Sequence, residues 1–206
     1  MDKNLNTMME SYLNKAINGH NDSDKHFLTL FSIAVASGAK NIIELGVREG
    51  GTTSPLLTAA QINGGTLYSV DINETPYKPD KELSKHWKFY KQDAIEFLTQ
   101  WDRSKEVGLV YVDDWHSYSH VKKELEQLDS IVSPSSVIIL HDLMYGGTCP
   151  FYHVDLTNSA GSQWDEGGPY RAVAELNSQF WEFSTLPWNN GLTILRKKYS
   201  NKFKQR

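Results

Sequence analysis

From Asp24 onward, short apolar runs and helix-spaced segments take turns along the chain, and that alternation leaves few folds open. The apolar runs fall at 41–47, 66–72, 88–92, 109–112 and 136–140, and helical patterns fill 24–37, 53–61, 94–101 and 118–132. Strands apolar on both faces and joined by helices pair in parallel through right-handed crossovers. The clearest helix sets Tyr118, Val121, Leu125, Leu128 and Val132 on one stripe and leaves Lys122, Lys123, Glu124 and Glu126 for solvent. In the first, Phe27, Leu30, Phe31, Ala34 and Val35 recur at helical spacing, Ser23 or Asp24 is a plausible cap, and Gly38 is the stop. The alternation ends late: 181–186 and 192–196 read as two strands around the turn Pro187-Trp-Asn-Asn-Gly191. The expected fold is α/β, a doubly wound, Rossmann-like, mostly parallel seven-stranded sheet closed by a C-terminal antiparallel hairpin.

A chain of 206 residues, 39% hydrophobic and 12% aromatic, suits a single domain spanning 1–206 with a sizeable core. A helical extension over 1–22 puts Leu5, Met8, Met9, Tyr12 and Leu13 at helical spacing, which would cover the site or pair two copies as a homodimer. Residues 144–168, rich in glycine, aromatic and polar side chains, read as a substrate lid in which Tyr145, Phe151, Tyr152 and Trp164 would wall an acceptor. The helix starting near Gly167-Gly-Pro-Tyr-Arg171 carries proline in its first turn. A formal charge of -4 gives no footprint for a nucleic-acid backbone, and no apolar run is long enough for a membrane. A lone cysteine, Cys149, forms no internal disulfide, so the expectation is a soluble, reduced, cytoplasmic protein.

Two strand ends carry the chemistry. The run Asn41-Ile-Ile-Glu-Leu-Gly-Val-Arg-Glu-Gly-Gly-Thr-Thr53 ends on an acid and breaks into glycines before a helix. A dinucleotide fingerprint is disfavoured, because Arg48 stands where a second glycine would let a pyrophosphate approach. Asp71, 21 residues after Gly50, ends the next strand, where an acid can accept both ribose hydroxyls. Asp93, beside Ala94, is placed to cap the next helix. The run Leu109-Val-Tyr-Val-Asp-Asp-Trp-His-Ser-Tyr118 ends another strand in acids and a histidine, and His141-Asp142 ends the next.

The pattern Glu44-x-Gly46-x-x-x-Gly50, together with Asp113-Asp-Trp-His116, Tyr118 and Asp142, resembles class I S-adenosylmethionine-dependent O-methyltransferases. More narrowly, it is similar to the metal-dependent branch that includes macrolide-sugar O-methyltransferases and cephalosporin-hydroxylase-like proteins. The resemblance implies S-adenosylmethionine as cofactor, bound by Glu44, Gly46, Gly50, Asp71, Asp93, Ala94 and Trp115, with Asp93 reading the adenine edge. It further implies that Asp113 and Asp142 hold a divalent metal and that His116 is the general base for an acceptor hydroxyl, with Asp113 its catalytic partner. A hard cation lowers the pKa of a bound hydroxyl, and a histidine titrating near neutrality can take the proton.

His141 stands where relatives often carry an acid, which brings it into the candidate ligand set; Mg or Mn is expected, and imidazole would favour Mn, Fe or Zn over Mg. Asp114 reads as pointing away from Asp113, either behind the ligand set or toward solvent, and Trp115 as a cation–π wall for the sulfonium or as core. His20, His26, His86, His120 and His153 lack a partner pattern and read as surface or lid residues. Tyr170 and Arg171 would orient a substrate, or cap and pack. The first expectation is methyl transfer to a hydroxyl of a small molecule, a sugar or natural product, with no nucleic acid or membrane partner. The alternatives are a cephalosporin-hydroxylase-like oxygenase and a nucleoside-binding module without catalysis.

Overall fold

The computed structural model of the chain describes residues 3–143 and 167–198. Seven strands form one sheet: β1 (Asn41–Leu45), β2 (Thr66–Asp71), β3 (Trp87–Lys91), β4 (Val107–Val112), β5 (Val132–His141), β6 (Trp181–Leu186) and β7 (Leu192–Lys197). Their order is β3-β2-β1-β4-β5-β7-β6. The first five run parallel, and β7 pairs antiparallel with both β5 and β6. The expected sheet and hairpin are both present.

Alternating strand residues feed two separate cores. One face sends Ile43, Leu45, Val70, Val110, Val112 and Leu140 against α4 (Ala94–Thr99), α5 (Tyr118–Ile131) and α6 (Gly168–Ala174). The other sends Ile42, Leu67, Leu109, Tyr111 and Ile139 against α2 (Phe27–Ala36) and α3 (Thr53–Ile62). The first helix, α1 (Lys3–Asn18), packs on α2, where Tyr12 meets the rings of Phe27 and Phe31 and donates or accepts at Ser54 and Thr58. It therefore covers its own chain, although Leu13 and Ile17 on its outer side remain exposed.

Several local details differ from the reading of the sequence. A single 3-10 turn, Asp24–His26, precedes α2, and Ser23 makes no capping hydrogen bond. β4 begins at Val107 and not at 109, because Gly108 is no break here: a Cβ at that position would collide with Ala39, so glycine lets the strand pass close to the turn before β1. β5 begins at Val132, straight after α5, and takes up the early start through a register shift opposite Val107 and Leu109. Glu124 is not on the solvent side of α5. It lies three residues after Val121, within the apolar stripe, and is fully buried. The expected lid and its aromatic residues, together with Cys149 and His153, lie outside the described residues apart from Gly167 and Gly168.

Candidate active site

All five parallel strands end along one edge, so the residues that follow β1, β2, β4 and β5 converge there. The turn after β1 is built from left-handed residues: Gly46 at φ +87, Arg48 at φ +49 and Gly50 at φ +80. Gly46 lies against the Asp113 backbone, where a Cβ would collide with the carbonyl, and the Tyr77 ring presses on Gly50 in the same way. Glycine here is a requirement of closeness as well as of dihedral angle. Below the turn, the Glu44 carboxylate accepts hydrogen bonds from Thr52, Thr53 and Ser69 at 2.6–3.0 Å. Burial raises its pKa to about 7 despite those three hydroxyls. Glu44 is not among the residues lining the two cavities at this edge; through Thr52 and Thr53 it holds the turn from underneath. Its side chain points from β1 to the α3 side of the sheet, where the hydroxyls at the start of α3 meet it.

A cavity of about 490 Å³ opens beside the turn, lined by Gly46, Asp71, Asp93, Ala94, Asp113 and Trp115 among others. Five of the seven expected cofactor residues therefore share one space; Gly50 lines the adjoining cavity. Asp71 accepts from the amides of Val47 and Arg48 at 2.9 and 3.0 Å, and from Asn73 at 2.8 Å. That fixes its carboxylate at the rim of the cavity. Asp93 caps α4, accepting from the Glu96 amide at 3.0 Å, so the capping role coexists with a place in the cavity wall. Trp115 is 44% exposed, which makes it a wall and not core.

Next to this cavity the ends of β4 and β5 bring two carboxylates and two imidazoles together. His116 Nε2 lies 3.0 Å from Asp142 Oδ2 and 3.4 Å from Asp113 Oδ1. His141 Nδ1 lies 3.2 Å from Asp142 Oδ1 and 3.5 Å from Asp113 Oδ1. Tyr111 donates its hydroxyl to Asp113 Oδ2 at 2.9 Å. Burial works against the imidazolium of His116, yet Asp113 and Asp142 outweigh it and hold the ring up to about 9. The same two acids raise His141, and the two histidines depress both carboxylates against the effect of burial.

Asp142 adopts the left-handed conformation at φ +65, a strained choice for a side-chain-bearing residue, and its amide donates to the Gly191 carbonyl at 3.1 Å. Strain of this kind persists where surrounding structure imposes it. Here it turns the carboxylate toward His116 and His141. Asp113, His141 and Asp142 each offer one ligand atom within 4.8 Å of the others, and both His141 nitrogens and Asp142 Oδ1 are buried without a hydrogen-bond partner among the described residues. Unpartnered, converging donors of mixed oxygen and nitrogen type fit a divalent ion.

A second, larger cavity of about 780 Å³ adjoins the first through Gly46, Arg48 and Asp113 and extends under α1 toward Tyr12, Lys15 and His20. Two residues escaped the sequence reading. His26 is fully buried, not on the surface; its ring stands edge-on to His141 with centroids 5.4 Å apart, and its Nε2 faces the carbonyls of Trp188 and Asn189 at 3.1 and 3.3 Å. Carbonyls only accept, so Nε2 carries the proton. No local pattern could have found a partner 162 residues away. His120, also expected on the surface, pairs with Asp114 at 3.0 Å, which is likewise turned inward. Arg171 packs: its guanidinium lies 4.1 Å over the Tyr118 ring while Nε donates to Glu175.

The sheet order, five parallel strands followed by an antiparallel pair, is that of the Rossmann-like methyltransferase fold. Residues 43–143, from β1 to just past β5, match the family model described as a methyltransferase domain. No curated protein sequence matches the chain. Among solved structures, the chain is similar to the O-methyltransferase of Bacillus cereus in complex with SAH, at 17% identity and a TM-score of 0.64, covering 96% of this chain and 92% of that one. It is also similar to the O-methyltransferase TomG of Streptomyces achromogenes, which is involved in tomaymycin synthesis and was solved with SAM, at 15% identity, a TM-score of 0.65 and coverage of 96% and 91%. The SAH-bound methyltransferase PaMTH1 of Podospora anserina matches at 15% identity with a TM-score of 0.62, over 96% of this chain and 89% of that chain. Among the described residues, no helix is long and apolar enough to cross a membrane.

Proposed function

We propose that this chain transfers a methyl group from S-adenosylmethionine to a hydroxyl oxygen of a small molecule, with a divalent cation held by Asp113, His141 and Asp142. One observation carries the reading: Asp113 belongs both to the wall of the nucleoside-sized cavity and to the carboxylate–imidazole cluster, so cofactor and acceptor oxygen would meet at that residue. In this reading Asp71 takes the ribose hydroxyls, Asp93 and Ala94 flank the adenine, and Trp115 covers the outer face. The Gly46–Gly50 turn receives the amino-acid end. With a cation offsetting the two acids that keep its ring charged, neutral His116 would accept the hydroxyl proton, while Asp113 and Asp142 keep the ring oriented. A bound cation would lower the pKa of the acceptor hydroxyl and orient its oxygen. The acceptor fits the larger cavity beneath α1, which α1 closes from its own chain. A sugar or similarly polar natural product suits that wall of Ser11, Lys15, His20 and Asp22.

The donor set also favours a second reading. Asp142 sits between the two imidazoles of His116 and His141, and two histidines with one carboxylate are the usual holders of non-haem iron in oxygenases. Calorimetric titration of S-adenosylmethionine, with Asp71→Ala as control, separates the two. Micromolar binding that the control loses supports methyl transfer, and turnover against hydroxylated acceptors with Mg²⁺ or Mn²⁺ then follows. Absence of binding under every metal condition removes it and leaves the iron- and oxygen-dependent reading to be assayed.

A further inference from the structure

The site above does not use a second, partly buried cluster on the far side of the Asp113–Asp114 peptide. Asp114, in the loop after β4, meets His120 and Glu124, which stand one helical turn apart on α5. His120 Nε2 is 3.0 Å from Asp114 Oδ2 and 3.5 Å from Glu124 Oε1, and the three ligand atoms lie within 4.8 Å of one another. Glu124 is fully buried, and among the described residues neither of its carboxylate oxygens has a hydrogen-bond partner; Asp114 Oδ1 is buried in the same condition. A carboxylate removed from water is expensive to keep ionised without several donors, and the single imidazole offers only one nitrogen to both acids.

We propose that Asp114, His120 and Glu124 form a binding site for a divalent transition-metal ion, separate from the Asp113–His141–Asp142 cluster. The spacing suits it: ligand atoms around a tetrahedral ion with bonds of about 2.0–2.1 Å stand roughly 3.3 Å apart, between the two distances observed. Placing two ligands four residues apart on one helix puts both side chains on the same face, as in helical zinc motifs. One imidazole with two carboxylates suits zinc, manganese or iron, whereas magnesium prefers an all-oxygen octahedron. Because Asp114 and His120 also line the smaller cavity, the ion would pin the Trp115 loop against α5 and leave its own open coordination position toward that space.

Zinc counting on the full chain tests the assignment. The purified protein is stripped with a chelator, equilibrated with Zn²⁺, freed of excess and analysed for bound metal, with Mg²⁺ in parallel. Glu124→Gln and His120→Gln are each expected to bind one equivalent less zinc than wild type, and Asp113→Asn/Asp142→Asn to retain an equivalent that the further change Glu124→Gln removes. Glu124→Gln is nearly isosteric and removes a buried charge, so it should fold; circular dichroism and the melting temperature check that. In wild type, zinc should raise the melting temperature by more than it does in Glu124→Gln. An equal zinc count in wild type and both single variants overturns the proposal, as does a double variant without retained zinc. The readout is metal content, so the outcome does not depend on whether the chain transfers methyl groups.

Discussion

His116 Nε2 stands 3.0 Å from Asp142 Oδ2, which ties the loop after β4 to the strained tip of β5. In the proposed reaction this pair takes the proton of the acceptor hydroxyl. Replacing His116 by Gln should lower kcat by roughly 10²–10⁴-fold, the range for a lost general base. Calorimetric affinity for S-adenosylmethionine should stay within a few-fold of wild type. Asp142→Asn keeps a residue that tolerates the left-handed conformation, so it should fold and show a comparable loss of turnover. If both variants turn over at the wild-type rate, the base lies elsewhere.

Asp71 does two jobs, holding the Val47 and Arg48 amides and facing the smaller cavity. Asp71→Ala should weaken S-adenosylmethionine binding by about tenfold to a hundredfold, the value of hydrogen bonds to a charged group. Asp71→Asn, which keeps a carbonyl for the amides, should fold as well as wild type and lose less affinity. Equal affinity in all three proteins would take Asp71 out of the binding site.

Gly46 and Gly38 separate close approach from dihedral freedom. Both are left-handed, at φ +87 and +64, but a Cβ at Gly38 meets nothing within 4 Å, whereas at Gly46 it runs into the Asp113 backbone. Gly38→Ala should cost about 1–2 kcal/mol from conformation alone. Gly46→Ala should cost about 2–4 kcal/mol, because β1 and β4 must part at their tips. Urea unfolding midpoints compare the two, and a Gly46→Ala no worse than Gly38→Ala would refute the close-approach role.

Glu44 gives a pH signature. Its carboxyl titrates near 4.5 when unfolded and is raised to about 7 in the fold by burial. Between those values the folded state keeps a proton that the unfolded state releases, so this group's contribution to stability falls as pH rises and levels off above the folded pKa. Glu44→Gln removes the titration while still offering a carbonyl to the hydroxyls. Relative to wild type, it should gain about 1–3 kcal/mol between pH 4.5 and 7.5 in chemical unfolding. A constant difference across that range would mean that Glu44 is ionised throughout.

The sheet and the glycine turn were legible because each rests on local pattern: runs of Ile, Val and Leu, and acids or glycines at strand ends. Asp71, Asp93, Ala94, Asp113 and Trp115 came together for the same reason, since parallel strands deliver their ends to one edge. The misses are of a different kind. Glu124 carries a charge in an apolar stripe, and its burial depends on His120 and Asp114 closing over it, a tertiary arrangement that helical periodicity does not encode. His26 owes its place to the Trp188 and Asn189 carbonyls of the β6–β7 turn, far along the chain. The runs 109–112 and 136–140 fall short of the strands because β4 and β5 start earlier, carrying Gly108 and Pro134 through a close pass over Ala39 and a register shift.

Because β7 is inserted between β5 and β6, the order of synthesis has a consequence for assembly. A ribosome delivers β1 to β5 first, and the smaller cavity needs nothing beyond them. The outer edge of β5 waits for residues 192–197, and until the preceding turn emerges the Asp142 amide lacks the Gly191 carbonyl and His26 lacks both of its acceptors. A nascent chain of this protein can thus build its smaller cavity while the Asp142 tip of β5 is still waiting on the last hairpin to leave the exit tunnel.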